Sequence, residues 1–335
     1  KMRQAGKQLT PFTLGHEILL EGLAVYPLLD DLVVGNELCL NCQHGRENLC
    51  TRFGKSGREQ GSIRGFSLGY GAFAVDSEGQ ILTELGGGLS EKVAVHSSQL
   101  YPHELTLKRA AYIDTYACVL EALDSIVGQD QPFDFSNNTD IPTLIIGFGP
   151  VGLTAADALK QRGINMENVI VVVKHPIQEQ VAREYGAKTV YIQDEEYMQK
   201  LATHLDAKIV RFGTRYWIDG GAPLIIDAVG NQQSVDLASH FIRDGHAVLV
   251  GLPQDIPVDL NRFNMRGGNP HLTWWSSRKF YPQAIDLLAK SPFEGWEAIT
   301  QVHLLKDAMH AYFPSQEDRS RFIKHIVVPN QNQQM

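Results

Sequence analysis

Cysteine is scarce in this chain. There are four in 335 residues, and three of them, Cys39, Cys42 and Cys50, fall close together, too near in sequence for an ordinary disulfide framework. That usage points to metal ligation in a reducing, cytoplasmic compartment. Long apolar runs are missing too: none approaches the roughly 18 residues that would cross a bilayer. No charged-then-apolar leader is visible, so no secretory signal is expected. Basic residues are in deficit, with 30 Lys and Arg against 38 Asp and Glu and a net charge of −8, which argues against a nucleic-acid surface. What is present is 43% hydrophobic residues over a length sufficient for two domains with their own cores.

The densest signal is residues 141–175, IPTLIIGFGPVGLTAADALKQRGINMENVIVVVKH. An apolar run, Leu144 to Ile146, leads into Gly147-Phe148-Gly149-Pro150-Val151-Gly152. A helix-compatible segment, Leu153 to Arg162, follows, and a second apolar run, Val169 to Val173, closes the unit. Strand, glycine turn, helix and strand together are the context that gives a G-x-G-x-x-G match its meaning. The turn is tight, the backbone must approach a pyrophosphate without a Cβ in the way, and the helix must pack closely on the sheet. The diphosphate then rests on unpaired amides at the helix N-terminus. A glycine-rich turn in some other βα unit is the alternative.

An acidic residue about 20 positions further on would accept hydrogen bonds from the ribose 2′-hydroxyl of NAD. Here the second apolar run ends at Val173-Lys174-His175, with no carboxylate. A lysine and a titratable histidine suit a 2′-phosphate better, so NADP is expected, with NAD the other possibility and a solvated loop cation the bland reading of Lys174.

Upstream, Pro11-Phe12-Thr13-Leu14-Gly15-His16-Glu17 places a histidine beside a carboxylate after a turn glycine, and Ile18 to Ala24 reads as a strand. Cys39 and Cys42 form C-x2-C, with Cys50 beyond seven further residues. Such spacing suits a lobe around a tetrahedral structural zinc, which takes four ligands. One step earlier stands Asn36, a poor ligand; Glu37 or His44 are substitutes, and a metal-free lobe is the alternative.

The PFTLGHE segment, the C-x2-C-x7-C lobe, the later Gly86-Gly87-Gly88-Leu89-Ser90-Glu91 and the mid-chain GFGPVG together resemble the zinc-containing medium-chain dehydrogenase/reductases. The Cys-Leu-Asn-Cys-Gln-His-Gly-Arg wording is similar to the glucose and polyol dehydrogenase branch. The resemblance implies an α/β protein: a Rossmann-type doubly wound parallel sheet with a GroES-like, mostly β catalytic domain. It implies residues 1–125 as catalytic domain with a zinc lobe at 36–50, 126–290 as dinucleotide domain, and 291–335 as a return to the catalytic domain and a tail. A catalytic zinc would be held by His16, Glu17 or Asp114 and by a cysteine upstream of the GHE motif. No cysteine precedes His16, so preceding residues missing from this chain are expected, against a variant lacking the full site. Asp114 aligns with the family's acidic ligand, Cys118 is the fallback, and an N-cap and a small core residue are their bland readings. Ala228, Val229, Gly251 and Leu252, in the turns after the fourth and fifth strands, would meet the nicotinamide and its ribose.

Further strands are expected at Thr189–Ile192, within Leu224–Gly230 together with its turn, at Ala247–Val250 and, on the sheet edge, at His271–Trp275; helices at Gln178–Tyr185 and Phe280–Lys290. Residues 193–222 give no assignable pattern. The resemblance implies a zinc-dependent oxidoreductase moving a hydride between an alcohol, sugar or polyol and NAD(P), with a small alcohol or carbonyl as partner and a homodimer or homotetramer as assembly. Two alternatives stand beside it: a zinc-free NADPH reductase of enones or quinones, and a non-catalytic nucleotide-binding member, since fold alone does not guarantee chemistry.

Overall fold

The computed structural model describes residues 17–27, 38–49, 73–75, 81–84, 95, 97–126, 139–212, 215–251, 256–273 and 275–329. The chain divides into two compact units: residues 1–104, 304–306 and 327–335 form one, and residues 105–303 and 307–326 the other.

In the first unit, β1 (Ile18–Leu20) and β2 (Leu23–Val25) pair antiparallel. The single strand expected over Ile18–Ala24 is therefore a hairpin, because Gly22, at φ +66°, turns the chain in a conformation that residues with a Cβ disfavour. A short helix, α1 (Leu40–Gln43), carries Cys42. Strands β3 (Phe73–Val75) and β4 (Ile81–Glu84) pair with each other, and β5 (Leu100–Pro102) adds to β2.

The second unit begins with α2 (Leu107–Ala110) and α3 (Ile113–Asp124). It continues with β6 (Thr143–Ile146), α4 (Pro150–Gln161), β7 (Val169–Val173), α5 (Pro176–Glu184) and β8 (Lys188–Tyr191). The stretch that gave no pattern in sequence holds α6 (Tyr197–His204) and an antiparallel hairpin of β9 (Lys208–Phe212) and β10 (Arg215–Asp219). Then follow β11 (Ala222–Asp227), α7 (Gln232–Phe241), β12 (Ile242–Leu249), α8 (Leu260–Met265), β13 (Gly268–Leu272) and α9 (Phe280–Lys290). The edge strand starts and ends three residues earlier than expected. Last come β14 (Thr300–Leu304), α10 (Ala308–Tyr312), α11 (Gln316–Arg321) and β15 (Lys324–Val328), with β14 beside β15.

Six parallel strands form one sheet in the order β13-β12-β11-β6-β7-β8. The chain reverses its direction of travel between β6 and β11, which makes the carboxyl edge there the crevice where such sheets take ligands. Strands β6 and β7 are buried at every position, as a parallel sheet covered on both faces requires. On one face Leu144, Ile146, Ile170, Val172 and Ile225 pack against Leu201 of α6, Leu237 and Phe241 of α7, and Phe263 of α8. Over the other, α3 packs with α4 and α9. There the fully buried Asp157 carboxylate accepts from Tyr116 Oη at 2.7 Å, Tyr185 Oη at 2.8 Å, Gln161 Nε2 at 2.6 Å and Ser291 Oγ at 2.5 Å. Four donors on one buried acid tie these helices together.

Candidate functional site

The carboxyl edge beside the β6–β11 switch is made almost entirely of backbone. Gly147 sits at φ +87° with its amide donating to the Val172 carbonyl at 3.0 Å, and a Cβ there would lie 2.4 Å from Val229 Cγ2. At Gly152 a Cβ would lie 2.1 Å from the Gly147 carbonyl oxygen, so only glycine lets α4 approach the turn this closely. Gly149, the N-cap of α4, differs from both: a Cβ there would meet nothing within 4 Å. The first and third glycines are required by the protein's own packing. The middle one faces open space at a helix N-terminus, where amides lack intrahelical partners and the helix dipole favours an anion.

Pro150 occupies the first turn of α4, which has no use for its missing amide hydrogen. The first helical bond closes from Leu153 N–H to the Gly149 carbonyl at 2.9 Å. Across the crevice, the buried Asp227 carboxylate ends β11 and holds the following turn. Oδ1 accepts from Val229 N–H at 2.9 Å and Gly230 N–H at 3.1 Å, and Oδ2 from Ser234 Oγ at 2.9 Å. Burial pushes this carboxyl above its ordinary value, and the two amides and the hydroxyl pull the other way. Val250 and Gly251 amides donate to the Asp227 carbonyl, each at 2.9 Å. A Cβ on Gly251 would lie 2.4 Å from the Gly230 nitrogen. Ala228, Val229 and Gly251 are thereby gathered at one corner, Val229 with 44% of its surface exposed; Leu252 lies outside the described residues. Asp227 is the residue that inspection of the sequence missed; its place as last residue of an apolar strand before a Val-Gly turn was the available signal.

At the end of β7, Lys174 is exposed and His175 half-buried. Gln178 Oε1 accepts from both backbone amides, Lys174 at 2.8 Å and His175 at 3.2 Å. Burial lowers the His175 pKa, and the charges of Lys174 and Arg319 lower it further.

In the cysteine lobe, Cys39 Sγ and Cys42 Sγ stand 3.5 Å apart around the start of α1. Two thiolates at about 2.3 Å from a tetrahedral zinc stand about 3.8 Å apart, so this pair fits one edge of such a site. Cys50 lies outside the described residues. Glu17 is exposed just ahead of β1 in the first unit; His16 is also outside the described residues. Asp114, in the first turn of α3, is half-buried and accepts from Tyr281 Oη at 2.5 Å. Cys118 is one turn further on and equally half-buried. Among the described residues, no three His, Cys, Asp or Glu side chains are gathered as a metal site, and no helix is long and apolar enough to cross a membrane.

A family model described as zinc-binding dehydrogenase matches residues 150–290. No curated protein matches the chain. Among solved structures, 2R,3R-butanediol dehydrogenase from Bacillus subtilis is 19% identical at a TM-score of 0.64, over 96% of this chain and 82% of that one. L-idonate 5-dehydrogenase from Escherichia coli is 18% identical at 0.64, over 95% and 82%. A structure described as a short chain alcohol dehydrogenase from Escherichia coli CFT073, complexed with the cofactor NADH, is 20% identical at 0.64, over 91% and 76%. At such identities the likeness establishes the fold. It agrees with the Rossmann-type sheet, and the matched span holds α4 and the turns after β11 and β12. Over residues 150–290 the chain is similar to the zinc-binding dehydrogenase family.

Proposed function

We propose that the protein is an oxidoreductase that moves a hydride between a small alcohol, a sugar or polyol among the candidates, and NADP. The observation that carries this reading is the open space before Gly149 between two glycines that the packing itself demands. In this reading the amides at the start of α4 hold the diphosphate, and Lys174 and His175 receive the 2′-phosphate. Ala228, Val229 and Gly251, fixed by Asp227, present a partly apolar wall to the nicotinamide and its ribose. Cys39 and Cys42, with Cys50, hold a structural zinc. For a catalytic zinc, His16, Glu17 and Asp114 are assigned on the family resemblance alone.

The chemistry these groups supply when bound is hydride acceptance by the nicotinamide and Lewis-acid polarisation of the substrate oxygen by zinc. The chain's own contribution is position and field. A preformed backbone cradle needs no reordering on binding, and the buried carboxylate keeps the turns of the crevice wall in place.

The experiment combines metal analysis of purified protein with NADP-coupled turnover on a panel of alcohols and the matching carbonyls. One or two zinc atoms per chain with turnover of alcohols supports the reading. Turnover of enones by zinc-free protein replaces it with the reductase, and nucleotide binding without turnover replaces it with a non-catalytic role.

A further inference from the structure

We propose that Arg319 is a cofactor-discriminating residue, a third cation brought to the 2′-phosphate end of the nucleotide site from the far end of the chain. The inference rests on the NADP reading above and adds a residue that the spacing from the glycine turn cannot reach.

Helix α11 packs against α5, and both lie in the second unit. Exposed Arg319 is on α11, and the helix it packs against, α5, begins directly after His175 at the rim where β7 ends. Burial is the main cause that lowers the pKa of His175 on that rim and of His325 on β15, and the Arg319 charge adds to it at both. The guanidinium is held from behind, with Nε donating to the Pro314 carbonyl at 3.1 Å, and among the described residues it has no ion-pair partner.

The carboxylates nearby are already engaged. Glu179 accepts from Arg183 Nη2 at 2.7 Å and from Tyr191 Oη at 2.8 Å. Asp194 is paired with Lys200. Asp318 caps its own helix, accepting from Ser315 Oγ at 2.7 Å. Asp318 keeps its charge towards His303 and His325, and Lys174 and Arg319 are the cations whose charges reach the half-buried His175. A lone solvated lysine would give a weak preference for a phosphate over a hydroxyl. An arginine fork added to it can meet the phosphate oxygens in pairs.

The test is equilibrium titration of NADPH and NADH, followed by protein fluorescence or calorimetry, into wild type, Arg319→Ala and Arg319→Lys, with thermal midpoints to confirm that each is folded. Loss of one charge-assisted contact weakens binding about tenfold. The expected result is therefore NADPH bound about tenfold more weakly by Arg319→Ala, with NADH within about twofold of wild type and Arg319→Lys in between. Wild type that prefers NADPH, with the preference unchanged in Arg319→Ala, overturns this inference and leaves the NADP reading standing. Equal loss for both nucleotides also overturns it. Wild type that binds both nucleotides alike overturns the NADP reading and the role of Arg319 with it.

Discussion

The two ends of the central sheet solve opposite problems. At the carboxyl edge Gly147, Gly149, Gly152, Gly230 and Gly251 line the described turns, and at Gly149 an added Cβ would meet nothing within 4 Å. At the amino edge the chain fills the space with one of its largest side chains. Arg266 is 1% exposed, and its guanidinium donates to the Ile242 carbonyl at 2.6 Å, to the Gly220 carbonyl at 2.5 Å and to the Ile218 carbonyl, with the Trp217 ring 5.2 Å away. Burial pushes its pKa down to about 10, and Arg243 adds to the effect. Three carbonyls accept from the buried cation, with the charges of Asp219 and Asp244 favouring it from nearby, and they anchor the β9–β10 hairpin to the starts of β11 and β12. One edge is thus built from backbone, where the proposed nucleotide would sit, and the other from a side chain that holds the fold. Substitutions at the two edges should separate binding from stability.

The largest effect is expected where both demands meet. Gly152→Ala forces a Cβ to within 2.1 Å of a backbone oxygen, so α4 must move off the turn. A loss of about 4 kcal/mol in unfolding free energy is expected, with nucleotide binding lost in whatever remains folded; denaturant titration and NADPH titration read the two. Next is Arg266→Met at the opposite edge. It leaves three buried carbonyls short of a donor and should cost about 3 kcal/mol, while NADPH affinity of the folded protein stays at the wild-type value. Weakened NADPH binding by that variant at full folding would show that the edges are not separable.

The smallest effect concerns pH and lies between the edges. His246 Nδ1 and His271 Nε2 are 2.7 Å apart across β12 and β13, and His246 Nε2 is buried with no partner. Burial holds both pKa values below the ordinary histidine value, and His271 lowers that of His246 further. The unfolded chain therefore takes up these protons first. Stability is full above the ordinary histidine pKa and falls as pH drops through it towards the depressed folded values. His246→Gln should make that decline shallower, by about 1 kcal/mol at the acid end, measured as unfolding free energy against pH. The decline will not vanish, because burial also lowers His303 and His325.

The glycine turn was legible in sequence because backbone geometry permits only glycine at Gly147 and Gly152, and because Leu144–Ile146 and Val169–Val173 are apolar at every position, as buried parallel strands must be. The β9–β10 hairpin was not. Its residues mix charged and aromatic side chains without a clean two-residue period, and its anchor, Arg266, lies 46 positions from the Gly220 carbonyl it holds. The edge strand was placed too late because Trp274 and Trp275 read as strand, whereas Trp275 sits at φ +54°, outside the extended region. Lys174 and His175 could be found by counting from the glycines. Arg319, the residue we propose to add to them, could not, since it is joined to that region only by the packing of α11 on α5. The zinc lobe is a reading of spacing alone: Cys39 Sγ and Cys42 Sγ stand 3.5 Å apart, and Cys50 lies outside the described residues.

The most direct test is the titration of NADPH into wild type and Gly149→Val. Gly149 has φ −76° and open space around its Cβ position, so the variant should fold with an unchanged thermal midpoint while its added methyl groups occupy the diphosphate's place. Saturable binding by wild type, weakened at least about 100-fold in the variant, is the expected result. Equal affinity in the two proteins, or no binding by folded wild type, would contradict a nucleotide seated on the amides of α4.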